Sequence, residues 1–177
     1  MRYLLIVLAV FSLAAPAFAQ HDEVAKAEVF AGYSYLRASG TNLHGWNTSI
    51  VGNGDKWLGI AGDFSGHYHR ESSPAGTVKE SIHSFTFGPH FAYRKNPKLT
   101  PFAFTLLGVA RESVSVAGVR STETGFDTDL GGGLDWHVKE NVAVRVFQAN
   151  AAIAHLGGHT KTDFRLSFGL VFHLGKK

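Results

Sequence analysis

Residues 163–174 read Asp-Phe-Arg-Leu-Ser-Phe-Gly-Leu-Val-Phe-His-Leu. Phe164, Leu166, Phe168, Leu170, Phe172 and Leu174 occupy every second position, and Asp163, Arg165, Ser167, Gly169 and His173 lie between them. Successive side chains of a strand point to opposite faces, so this spacing puts large apolar groups on one side and mostly polar or small ones on the other. Working back from this stretch to Lys26, short alternating runs of the same kind recur about eight times, separated by turns and polar segments.

The chain opens differently. Arg2 precedes an apolar run over 3–13, and Ala17-Phe18-Ala19 follows. A positive end, a short apolar core and an A-x-A site describe a secretory signal peptide over 1–19, with one domain over 20–177. An uncleaved membrane anchor fits less well, because the apolar run is short and ends in a cleavage-type sequence. No later stretch approaches the roughly 18 apolar residues of a membrane helix. The chain has no cysteine, which excludes a disulfide framework and a lipoprotein anchored through an N-terminal cysteine. The net charge is +3 and the cations are scattered, so no nucleic-acid partner is expected. Twenty glycines and fourteen phenylalanines suit a bent wall with a lipid-facing aromatic surface.

The alternation predicts strands over 26–37, 46–51, 57–69, 81–93, 101–112, 125–138, 142–154 and 164–174. Gly52-Asn53-Gly54-Asp55 reads as a tight hairpin, since Asn-Gly tolerates the positive φ of a type I′ turn. Pro89 cannot donate to a ladder and predicts a bulge or break in its strand. On the fifth strand Phe102, Phe104, Leu106 and Ala110 are assigned to the outward face. The segments 38–45, 70–80, 113–123 and 155–161 read as longer loops; 52–55, 94–99 and 139–141 read as shorter turns. Long external loops and short periplasmic turns are the habit of outer-membrane barrels. The expectation is an all-β fold, an eight-stranded antiparallel up-and-down transmembrane β-barrel with both termini on the periplasmic side.

Several stretches carry a resemblance. They are Val29-Phe30-Ala31-Gly32-Tyr33-Ser34-Tyr35, Trp57-Leu58-Gly59-Ile60, Asp63-Phe64-Ser65-Gly66-His67-Tyr68, Gly131-Gly132-Gly133-Leu134-Asp135, Val144-Arg145-Val146-Phe147-Gln148 and Arg165-Leu166-Ser167-Phe168-Gly169-Leu170-Val171-Phe172. With them the chain resembles the small outer-membrane β-barrel proteins of Gram-negative bacteria, of the OmpA-like transmembrane domain type. The resemblance implies a site in the outer membrane and contact with its lipid, with lipopolysaccharide and with the assembly machinery. Such barrels usually end on an aromatic residue that this machinery reads. Here Phe172 is followed by His173-Leu174-Gly175-Lys176-Lys177.

Charges placed inside a narrow barrel must be paired or hydrated. Glu28, Asp63, Asp127, Asp129 and Asp135 are expected to face the same lumen as Arg94, Arg111, Arg145 and Arg165, as a structural salt-bridge network. Eight strands leave an interior that side chains can fill. Asp63, Ser65 and His67 share one face, but a triad needs the histidine between the acid and the serine. Lipid A deacylase barrels carry a histidine closely followed by Ser-Asn; the comparable His155-Leu156-Gly157-Gly158-His159 has no serine. His67, His69, His155 and His159 could gather as metal ligands at the rim, yet with ten histidines such spacings arise by coincidence. Several of Trp46, Trp57, Trp136, Tyr33, Tyr35, Tyr68 and Tyr93 suit interfacial girdles. No catalytic residue, cofactor or metal is expected. The reading is a non-enzymatic structural or surface-interaction component with a mostly plugged lumen and four external loops whose partner the sequence does not name. The alternatives are a narrow ion-conducting pore, a lipid A-modifying enzyme, and a soluble barrel with an aromatic-lined cavity.

Overall fold

The computed structural model describes residues 24–73, 76–116, 119–156 and 158–176, so the expected leader over 1–19 lies outside the described residues. Eight strands follow one another: β1 (Ala25–Ala38), β2 (Thr41–Asn53), β3 (Leu58–Ser73), β4 (Gly76–Ala92), β5 (Leu99–Val116), β6 (Val119–Lys139), β7 (Val142–Leu156) and β8 (His159–Lys176). Each pairs antiparallel with the next, and β8 returns to pair with β1, so the sheet is a closed barrel. Closure gives the wall no edge, which a sheet in hydrocarbon needs because lipid cannot hydrogen-bond a free N–H or C=O.

The wall turns its apolar side outward. Ile60, Phe64, Phe87, Leu107, Leu130 and Phe168 are all exposed. Aromatic residues mark two levels on this surface. Trp57, Tyr93 and Trp136 ring the end that carries the termini, and Tyr33, Trp46 and Tyr68 ring the other. Trp57 and Tyr68 bracket one strand. Their separation of about 11 residues, at ~3.3 Å each and a tilt of ~45°, spans about 26 Å across the bilayer. That matches the roughly 25 Å apolar band of outer-membrane barrels.

The connections differ from the sequence-based expectation. At the end away from the termini the strands run on, and the expected loops over 38–45, 70–80, 113–123 and 155–161 are largely strand. Ala38 pairs with Thr41 across Ser39 and Gly40, whose φ values of 47° and 91° make a two-residue left-handed turn. The pairs Ser73↔Gly76, Val116↔Val119 and Leu156↔His159 close the other three hairpins at this end. Polar sequence was read as loop, whereas strands leaving the bilayer become polar on both faces. At the terminal end the turns over 54–57 and 93–98 are longer. Asn53-Gly54 does not form the expected tight turn: Asn53 stays in β2 and its side chain is held by Ala25 and Glu28, while Gly54 and Asp55 both donate to the carbonyl of Leu58.

The β5 frame is a second correction. Phe102, Phe104, Leu106 and Ala110 are buried inside the barrel, and Ala103, Leu107, Val109 and Arg111 face out. Both faces of this strand are apolar, so size alone pointed the wrong way. The β4–β5 ladder lacks pairs at Gly88 and Pro89 and resumes at His90↔Phe104 in the same register, a local break at the proline rather than a bulge. True irregularities are a bulge on β6 between His137 and Lys139 and a bulge on β7 between Arg145 and Gln148, where Val146 and Phe147 both face out and the register shifts against both β6 and β8. A bulge re-aims side chains, and here it lets Arg145 and Gln148 both point inward.

Candidate functional site

The interior is built from the inward positions of every strand, and three guanidinium groups organise it at three depths. Nearest the termini, Arg94 donates to Glu28 at 2.7 Å, to Asn53 at 2.9 Å and to the Lys56 carbonyl at 2.7 Å. Asn53 donates in turn to Glu28 at 2.8 Å. This set forms the floor of a mouth of about 1120 Å³ lined by Trp57, Tyr93, His137 and His173.

Above it, Arg145 meets Asp135 fork to fork, with Nε to Oδ1 at 2.8 Å and Nη2 to Oδ2 at 3.0 Å, and its Nη1 donates to Gln148 at 2.6 Å. The guanidinium lies between two rings, 4.4 Å from the Phe30 centroid and 4.2 Å from that of Phe102. Phe102 continues into a stack with His90 at 5.2 Å and Phe104 at 6.2 Å. Gly133 makes this possible, because a Cβ there would sit 2.6 Å from the Phe102 ring.

Arg165, 1% exposed, holds the third depth. Its Nη2 donates to Asp63 at 3.0 Å and to Asp129 at 2.9 Å, its Nη1 reaches Ser65 and Ser84 at 2.7 and 3.4 Å, and its Nε reaches Asn150 at 3.2 Å. All five donors of the group are therefore used. Asn47 donates to both oxygens of Asp63, and Thr86 and Asn150 donate to Asp129.

Of the lumen charges expected from the sequence, Glu28, Asp63, Arg94, Asp127, Asp129, Asp135, Arg145 and Arg165 lie inside. Arg111 does not. It is exposed on the outer wall because β5 runs without a bulge from Phe102 inside to Ala110 inside, which leaves the odd positions outward. Asp127 is inside but joins no ion pair, and its Oδ1 has no hydrogen-bond partner. Sequence reasoning missed the amides Asn47, Asn53, Gln148 and Asn150 that carry the network between charges, and the rings around Arg145. Their signal was present: on their strands each alternates with outward apolar or small residues.

The hairpin end sorts its charges by face. Arg37, Arg70, Lys79, Arg111 and Arg120 are exposed on the outer side, whereas Glu80, Glu112 and Asp163 are turned inward and half-buried, and Glu71 and Glu123, at inward strand positions too, are exposed. Glu112 is bound by Lys161 at 2.8 Å. Just below the cations the wall carries tyrosine–histidine contacts: Tyr33 with His44, and Tyr68 with His83 at 3.0 Å.

The profile of the outer membrane protein beta-barrel domain family matches residues 5–175. The chain belongs to this family. As an outer membrane protein beta-barrel domain it has its place in the bacterial outer membrane. Among solved structures it is similar to Ail, the attachment invasion locus protein of Yersinia pestis, at 20% identity and a TM-score of 0.58, over 84% of this chain and 99% of that one. A second Ail structure, in complex with the heparin analogue sucrose octasulfate, matches at 18% identity and 0.58, over 86% and 100%. Neisserial surface protein A matches at 17% identity and 0.58, over 84% and 96%. The N-terminal β-barrel domain of Pseudomonas aeruginosa OprF matches at 15% and 0.51, over 85% and 100%. At these identities the likeness is one of fold. No curated protein sequence matches the chain.

In this outer-membrane barrel the candidate catalytic and metal groups are dispersed. Asp63 is held by Asn47 and Arg165, Ser65 by Ser84 and Arg165, and His67 by Ser34 at 2.8 Å. His69 bonds the Asn42 carbonyl at 3.1 Å, and His155 packs on Phe126 on the outer wall. Among the described residues no three His, Asp or Glu side chains are grouped to hold a metal ion.

Proposed function

We propose that this barrel is a non-enzymatic surface component that does not conduct, and that its outer hairpins bind anionic glycan or the phosphates of lipopolysaccharide. In this reading residues 1–19 are a cleaved signal peptide, the termini face the periplasm and the assembly machinery inserts the chain through its last strand. The ion-paired depths block the lumen, and the hairpins are the working surface.

The observation that carries the reading is the charge sorting at the hairpin end. Five cations, Arg37, Arg70, Lys79, Arg111 and Arg120, lie on the outside, while the nearby acids Glu71, Glu80, Glu112, Glu123 and Asp163 occupy inward strand positions, where Lys161 pairs with Glu112. A ring of this sign at the headgroup level attracts phosphate and sulfate, and guanidinium groups match those oxygens bidentately. The Ail structure with sucrose octasulfate lends support by analogy of fold alone.

The test is retention of the refolded protein on immobilised heparin and on lipopolysaccharide vesicles across a salt gradient. Binding that weakens steeply with salt, and is lost in the triple variant Arg37→Gln/Arg70→Gln/Arg111→Gln, is the expected result. Retention equal in the variant and in wild type contradicts it.

A further inference from the structure

We propose that the upper lumen holds one small monovalent cation, bound at Asp127. Around Arg165 stand three buried carboxylates, Asp63, Asp127 and Asp129, and a single positive group. Asp63 and Asp129 share Arg165, and all the donors of the guanidinium are already spent on Asp63, Asp129, Ser65, Ser84 and Asn150. Arg165 therefore has no donor left for Asp127.

Asp127 is 2% exposed and its Oδ1 has no partner. An ionised carboxylate in that condition is strongly unfavourable unless a counter-charge reaches it. It lines a cavity of about 30 Å³ whose other polar walls are Ser65, His67, Ser84, Glu112, Asp163 and Arg165, the last with all its donors engaged. That volume admits one or two water-sized guests. Ser65 and Ser84 bond each other and both accept from Arg165, so one of the two hydroxyls keeps a lone pair free for a cation.

The donor set selects the class of ion. Among the described residues no three His, Asp or Glu groups converge. A calcium site needs six to eight oxygens and usually several carboxylates, and a transition metal wants imidazole or thiolate. One free carboxylate oxygen with one hydroxyl lone pair and a retained water suits sodium or potassium.

The test compares heat-induced unfolding of the folded barrel in non-ionic detergent in sodium chloride, potassium chloride and choline chloride at one ionic strength. Choline is too large for the cavity. A saturable rise of the midpoint by about 2–4 °C on replacing choline with sodium or potassium is expected, together with its absence in Asp127→Asn. A wild-type midpoint indifferent to the exchange, as when a proton alone neutralises Asp127, overturns the proposal. So does an unchanged response in Asp127→Asn. Should that variant not fold, sodium NMR of the wild type decides. Line broadening by the folded sample beyond that of the boiled one supports the site, and equal broadening overturns it.

Discussion

Asp135 and Arg145 are direct ladder partners on β6 and β7, and both point into the barrel to form a two-bond pair. A bulge on β7 directly follows Arg145 and shifts its register with both β6 and β8, and a second bulge lies on β6 between His137 and Lys139. The bulges thus set where the pair stands, and Phe30 and Phe102 close over the guanidinium from two sides.

Removing one member leaves the other charged and buried. Asp135→Ala or Arg145→Ala is expected to destabilise the folded barrel by about 3–5 kcal/mol. The double variant should lose less than the sum, because the second truncation removes a group already left unpaired. Urea unfolding of vesicle-inserted protein, followed by tryptophan fluorescence and completed as a double-mutant cycle, measures both.

Gly133 is the ladder partner of Phe102, and an added Cβ would also run into the Phe147 carbonyl oxygen. Gly133→Ala is expected to destabilise by about 1–3 kcal/mol through overpacking. Phe102→Leu combined with it should recover only part, since the backbone contact remains. The same urea titration reads the two variants.

The lipid-facing assignment predicts a depth-dependent cost for charge. Leu130 is exposed in the middle of β6, and Val119 is exposed at its hairpin tip. Leu130→Arg is expected to lose about 2–4 kcal/mol and Val119→Arg about 0–1 kcal/mol. Equal costs at the two positions in folding into vesicles would place the bilayer elsewhere on the wall.

β8, β3 and β4 were legible in the sequence because one face is large and apolar and the other polar, as with Phe164 to Leu174 against Arg165 and Ser167. β5 was not, because Phe102 and Phe104 alternate with Ala103 and Thr105 and neither face carries a charge before Arg111. There the frame is fixed by the interior stack of Phe102 with His90 and by the space that Gly133 leaves, and both are pairings between strands. Arg111 followed the same inverted frame. The hairpins were hidden because polar residues past the aromatic ring look like loop, although Arg70↔Lys79 and Ser115↔Arg120 continue the ladders. Alternation identifies which residues face inward on one strand; which of them meet is decided by registers and bulges.

In the proposed function the ion pairs of Arg94, Arg145 and Arg165 close the interior and leave the hairpin surface to act. Planar-bilayer recording of the purified, refolded barrel tests this most directly. No steady conductance in wild type, with openings appearing once Arg145 is replaced by Ala, is the predicted result. Stable wild-type openings that persist unchanged in Arg145→Ala would contradict it and make the lumen, rather than the surface, the working part of the protein.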